Sequence, residues 1–243
     1  MSLMVGPIAE GERAGGVENL RRGFLLLLGA SMISLVVELP VMPARARPLE
    51  AGVAAFVMWG LMAGFLVIVL LILAVLSWVF RIVGWGKLCR GWDRKFYCYV
   101  RTILVLLPVL GIVIVIAAIV MVVAEILTLG PAMGVLVLER AKGLVIYLLL
   151  GVVLVAASFV IEGVALLDFS YVLKSMLLRG GGALYIAAYV LSVLDSVVGT
   201  LRPASVVKTA FSISSSILAV ASAFVLYWAF RVVEKVERGE EGA

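Results

Sequence analysis

From Val53 to Phe80 the chain carries no charged side chain. As an α-helix, that run alone spans about 42 Å at 1.5 Å per residue, more than the ~30 Å hydrocarbon core of a bilayer. Few soluble folds tolerate such a segment. Composition extends the constraint to the whole molecule: 65% of the residues are hydrophobic and 14% are charged, against about 25% charged in a typical soluble domain. The fold class is therefore all-α, a polytopic helical membrane protein.

The next stretch sets its orientation. Arg81 to Arg101 reads RIVGWGKLCRGWDRKFYCYVR, with six basic residues and one acid, Asp93, between two apolar runs. Such a knot between spans favours the cytoplasmic side. Arg81, Lys87, Arg90, Arg94, Lys95 and Arg101 are expected to form a patch facing the cytoplasm and anionic headgroups. Trp78, Trp85, Trp92, Phe96, Tyr97 and Tyr99 interleave with them, as headgroup-level aromatics do. Two forms stay open for this link: a short amphipathic element on the membrane surface, or a plain loop with snorkelling side chains. Cys89 and Cys98 both lie here, and a cytoplasmic link predicts reduced thiols, an oxidised pair being the exception found in hyperthermophiles.

Six spans are predicted, over residues 20–41, 53–82, 102–127, 143–167, 183–201 and 206–232. A polar arm (1–19) precedes them and a charged tail (233–243) follows. Arg21 and Arg22 before the first run, with Ala44-Arg45-Ala46 after it, have the outline of a secretory signal; we expect a retained span instead. Pro40, Pro43 and Pro48 should end the first helix near Val41. Pro108 should kink the third. Gly60 and Gly64 form a G-x-x-x-G pair suited to helix contact. Gly180-Gly181-Gly182 suggests a turn before the fifth span. With both termini cytoplasmic, 14 of the 20 basic residues fall inside, as the positive-inside bias requires. Trp78 to Arg81 and Trp228 to Arg231 echo one another, an aromatic followed by an Arg expected to reach the headgroups.

Function is less legible. There is no histidine, which removes the commonest metal ligand and neutral-pH base. No nucleotide-binding or metalloprotease motif appears. No cofactor and no nucleic-acid partner is expected; membrane lipids are, with a protein partner or homo-oligomer as a further expectation. Acids within spans carry the information, because charge at bilayer depth is expensive. Glu38, Glu125 and Asp168 fall at span ends and read as interfacial anchors. Glu162 and Asp195 lie deeper, in adjacent spans, with Ser158, Tyr189, Ser192 and Ser196 available as hydrogen-bonding partners. They read as a polar clamp between helices, as a proton- or cation-coupling pair, or as a contact with a partner subunit.

Gly16, Leu20 and Gly23, then Gly84 and Leu88, then Asp93-Arg94-Lys95-Phe96, and a last span rich in small residues ending in a Glu-Lys tail form a pattern. It resembles an uncharacterised family of small archaeal integral membrane proteins. The resemblance implies an archaeal source and a six-span layout and supplies no site residues. The expected function is an accessory or scaffold subunit. The alternative is a small proton- or cation-coupled transporter or channel using buried carboxylates, and the third reading is a lipid-modifying enzyme.

Overall fold

The computed structural model describes residues 7–44, 53–92, 94–129, 134–201 and 206–237. Asp93 and the side chains near several helix ends, Glu38 and Glu125 among them, lie outside the described residues. Six helices follow in order: α1 (Pro7–Ala44), α2 (Val53–Trp92), α3 (Lys95–Leu129), α4 (Gly134–Val172), α5 (Met176–Leu201) and α6 (Val206–Glu237). Among the described residues each helix touches the next, and α1 closes on α6. The helices thus form a ring in chain order. Among the described residues five of them, α2 to α6, contain segments long and apolar enough to cross a membrane. Leu61, Phe65, Ile68, Leu71, Val113 and Ile146 are exposed on its outside, a surface that only lipid or another apolar face can cover.

Three boundaries differ from the sequence reading. Most of the polar arm is helical: α1 begins at Pro7, and Val17 and Leu20 are fully buried. The region 134–142 is helix, the first turns of α4. The basic link is neither a surface element nor a loop; α2 runs to Trp92 and α3 restarts at Lys95. Cys89 and Cys98 are joined in a disulfide across this tight hairpin, which corrects the expectation of free thiols.

The three glycines 180–182 are likewise not the turn. They sit inside α5, where Gly181 lies against Leu226 and Gly182 against Leu166. The reversal occurs six residues earlier. Lys174 adopts φ 52°, Ser175 N–H donates to Ser170 O and Lys174 N–H to Tyr171 O, which is the Schellman closure of α4. Ser175 Oγ then accepts from Leu178 N–H and caps α5. A Cβ at left-handed φ is strained, so Lys174→Gly should stabilise the protein by about 0.5–1 kcal/mol, measured by SDS or thermal unfolding in detergent; equal or lower stability would contradict the assignment.

Pro108 lies within α3. It has no N–H to give the carbonyl four residues back. That carbonyl, Leu104 O, accepts instead from Trp78 Nε1 of α2 at 2.8 Å. Trp78→Phe should cost about 1–2 kcal/mol by leaving it unpaired. Trp78→Phe in a Pro108→Ala background should cost less, since α3 then supplies its own donor; equal costs in both backgrounds would break the link between the two residues.

The seam between α1 and α2 is made by residues at heptad-like spacing. Ser77 Oγ donates to Gly23 O at 2.9 Å. A Cβ on Gly16 would meet Leu88 at 2.9 Å, and one on Gly84 would meet Leu20 at 2.8 Å and Gly16 O at 3.1 Å. Gly64, by contrast, has nothing within 4 Å among the described residues.

Candidate functional site

The end of the ring holding the α2–α3 and α4–α5 turns, called here the link end, is solid. Val17, Leu20, Phe24, Trp85, Leu88, Tyr97, Leu166, Phe169, Leu178, Leu226 and Phe230 form one buried cluster there. Its rings touch across the centre: Phe24 stacks on Phe230, with centroids 5.6 Å apart, and meets Tyr185 edge-on at 5.8 Å. Phe169 meets both Trp85 and Phe230.

An ion pair is embedded in this cluster. Arg81 of α2 and Glu162 of α4 are 1% and 0% exposed and bonded to one another. Arg81 was expected at the headgroups; it points instead into the ring, four residues after Ser77 and four before Trp85 on one helical face. Glu162 is fully served. Its Oε2 accepts from Arg81 Nη1 and from Tyr185 OH at 2.8 Å, and its Oε1 accepts from Trp85 Nε1 at 3.0 Å. Tyr185 OH also accepts from Arg81. The guanidinium lies over Phe159, 4.9 Å from the ring centroid, with Phe24 at 5.8 Å. None of the hydroxyls expected around Glu162 bonds it: Ser158 Oγ donates to Val155 O in its own helix. The echo of Arg81, Arg231, is exposed over Trp228. The same local motif thus serves the outside of the bundle in one place and its centre in the other.

The other end, the far end, encloses a polar cavity of about 220 Å³. Its lining includes Ser31 and Ser34 of α1, Tyr189, Ser192 and Asp195 of α5, and Ser212, Ser215 and Ser216 of α6. Among the described residues Asp195 is its one charged lining residue, and Asp195 Oδ1 is buried with no hydrogen-bond partner. Lys208 acts on Asp195 electrostatically from α6, its chain lying against Gly199. The two carboxylates thought to act together are therefore apart. Ten residues of α5, about 15 Å of helix rise, separate Tyr185, which bonds Glu162, from Asp195.

A row of hydroxyls connects the two places. Tyr185, Tyr189, Ser192 and Ser196 follow one another at four, three and four residues, one face of α5. Tyr185 and Tyr189 are in ring contact at 4.8 Å. Tyr189 and Ser192 line the cavity. Ser196 does not; its Oγ donates to Ser192 O at 2.9 Å.

The remaining basic residues bind the link end together. Arg13 Nε donates to Gly91 O at 2.7 Å and its guanidinium covers Trp92, closing the end of α2. Arg90 pairs with Glu12, Arg21 with Glu234, and Arg94 with Asp168, which also accepts from Tyr97 OH at 3.0 Å. Lys87 runs along Gly15 and Arg101 along Gly86. Lys95 and Arg101 are exposed. Among the described residues no three His, Cys, Asp or Glu side chains converge as metal ligands would.

Together these features define a multi-pass helical membrane protein with an internal ion pair. Among known proteins, the chain matches no family model, no curated protein and no solved structure.

Proposed function

We propose that the protein is a small proton- or cation-coupled membrane transporter, held in a state open at the far end and closed at the link end. The observation that carries this reading is the Asp195 cavity, inside the ring and continued by the α5 hydroxyls to a charged pair. Intramembrane ionisable groups facing an interior mark pathways more often than surfaces. A scaffold subunit has no need of a carboxylate with an unbonded oxygen in a cavity. The aromatic cluster and the Arg81–Glu162 pair form the closed side, and opening that side would require their separation, as alternating access demands. The basic residues favour a cytoplasmic link end, with Lys95 and Arg101 available to anionic headgroups. The Cys89–Cys98 bridge pulls the other way, since disulfides persist mainly in oxidising compartments, with hyperthermophile cytosols the known exception. The bias of 14 basic residues against 6 is the stronger argument.

Proteoliposomes test the function. An imposed cation gradient should drive flux, read with an internal pH-sensitive dye, in the parent protein. Asp195→Asn, nearly isosteric but uncharged, should abolish it. Absence of flux in the parent, or equal flux in the variant, defeats the reading.

A further inference from the structure

The far-end cavity has a chemical character that goes beyond the presence of a carboxylate. Among the described residues no Lys or Arg lines it, and the charge they bring to the lining is that of Asp195. Ser215 Oγ spends its proton on Ser212 O at 2.9 Å, which leaves its lone pairs to accept. Asp195 Oδ1 accepts nothing from the protein. The site therefore offers acceptors to a donor. Lys208 of α6 acts on Asp195 electrostatically, an internal example of a cation that this carboxylate attracts.

The size and the apolar lining narrow the choice. At about 30 Å³ per water, 220 Å³ corresponds to roughly seven waters, far more than a bare ion fills. A divalent metal seeks six to eight oxygens and usually more than one carboxylate; one Asp among serines is a poor match. Ala188, Ala219 and the Tyr189 ring supply apolar wall beside the hydroxyls. An aromatic face with a carboxylate nearby suits an alkylated ammonium, which combines a cation with a small apolar body.

We infer that this cavity is a binding site for a small organic ammonium ion, held by Asp195 and the α6 hydroxyls with its carbon body against Tyr189, Ala188 and Ala219. The inference rests on the transporter reading for its purpose but concerns binding alone. The ligand's ammonium shares the Asp195 charge with Lys208, which acts on the same carboxylate electrostatically from α6.

Binding to the full chain in lipid nanodiscs, with no gradient, tests this. The probes are butylammonium, tetramethylammonium, butanol, butyrate and Na⁺, followed by titration calorimetry. Both ammonium ions should bind, butanol and butyrate should not, and Asp195→Asn should weaken binding about tenfold or more, the worth of one charge-assisted hydrogen bond. Ala219→Leu, which fills the cavity and keeps the carboxylate, should weaken it as well and serves if Asp195→Asn does not fold. Equal binding of butanol, binding of Na⁺ alone, or no binding of either ammonium would each overturn the inference. Ammonium binding without any liposome flux would sink the transporter reading and leave the site; flux without ammonium binding would do the reverse.

Discussion

Replacing Glu162 with Ala should be the most damaging single change in the protein, costing about 3–5 kcal/mol, the range for stripping one partner from a buried ion pair. Three donors lose Glu162 at once: Tyr185 OH, Trp85 Nε1 and Arg81 Nη1, which keeps only the neutral Tyr185 oxygen. Arg81 cannot respond by shedding its proton, because a guanidinium stays charged in proteins. The opposite truncation should be milder. In Arg81→Ala the Glu162 carboxyl keeps its bonds from Tyr185 OH and Trp85 Nε1, and no donor is stripped of its acceptor. Glu162→Ala should therefore unfold more readily in SDS than Arg81→Ala, and Arg81→Met with Glu162→Met should recover most of the loss. If Arg81→Ala is the worse of the two, Glu162 is not the hub of this network.

The second large effect is steric. Gly84→Leu should cost about 3 kcal/mol, the upper part of the overpacking range. Its first added atom would sit 2.8 Å from Leu20 and 3.1 Å from the Gly16 carbonyl oxygen, and that backbone cannot rotate away as a side chain can. Gly64→Ala, in the same helix with nothing within 4 Å, is the control; it should be neutral or stabilise by up to about 1 kcal/mol through helix propensity. Unfolding of both variants in detergent checks the contrast. Equal stability of the two would mean that α1 and α2 do not approach as closely as described.

The same pair of glycines shows what a sequence can and cannot convey. Length and hydropathy give the helices, because a bilayer-spanning run has few alternative states. They do not say which face meets a neighbour. Gly60 and Gly64 carry the familiar spacing, yet Gly64 meets nothing among the described residues, while Gly16, Gly23 and Gly84, which form no such motif, make the seam. Glycines 180–182 look like a turn, but the reversal is built by Lys174 and Ser175. Glu162 and Asp195 are conspicuous as acids in apolar runs. Their separate roles are not, since these depend on partners far along the chain: 81 residues for Arg81 and 23 for Tyr185. Arg81 has a local signal in retrospect. Ser77, Arg81 and Trp85 fall at four-residue intervals, one polar stripe on a helix that is otherwise apolar. An Arg near the end of a span still has a low-cost alternative at the headgroups, and only the position of Glu162 on α4 decides between them.

The most direct measurement is the accessibility of the far-end cavity from each side of the membrane. In a Cys89→Ser, Cys98→Ser background, Ser215→Cys should react with a membrane-impermeant, positively charged thiol reagent added outside intact cells, and Leu166→Cys, in the buried link-end cluster, should react from neither side. Ser215→Cys that stays unmodified from outside, or is modified only in inside-out vesicles, would contradict an outward-open cavity sealed from the cytoplasm by Arg81 and Glu162.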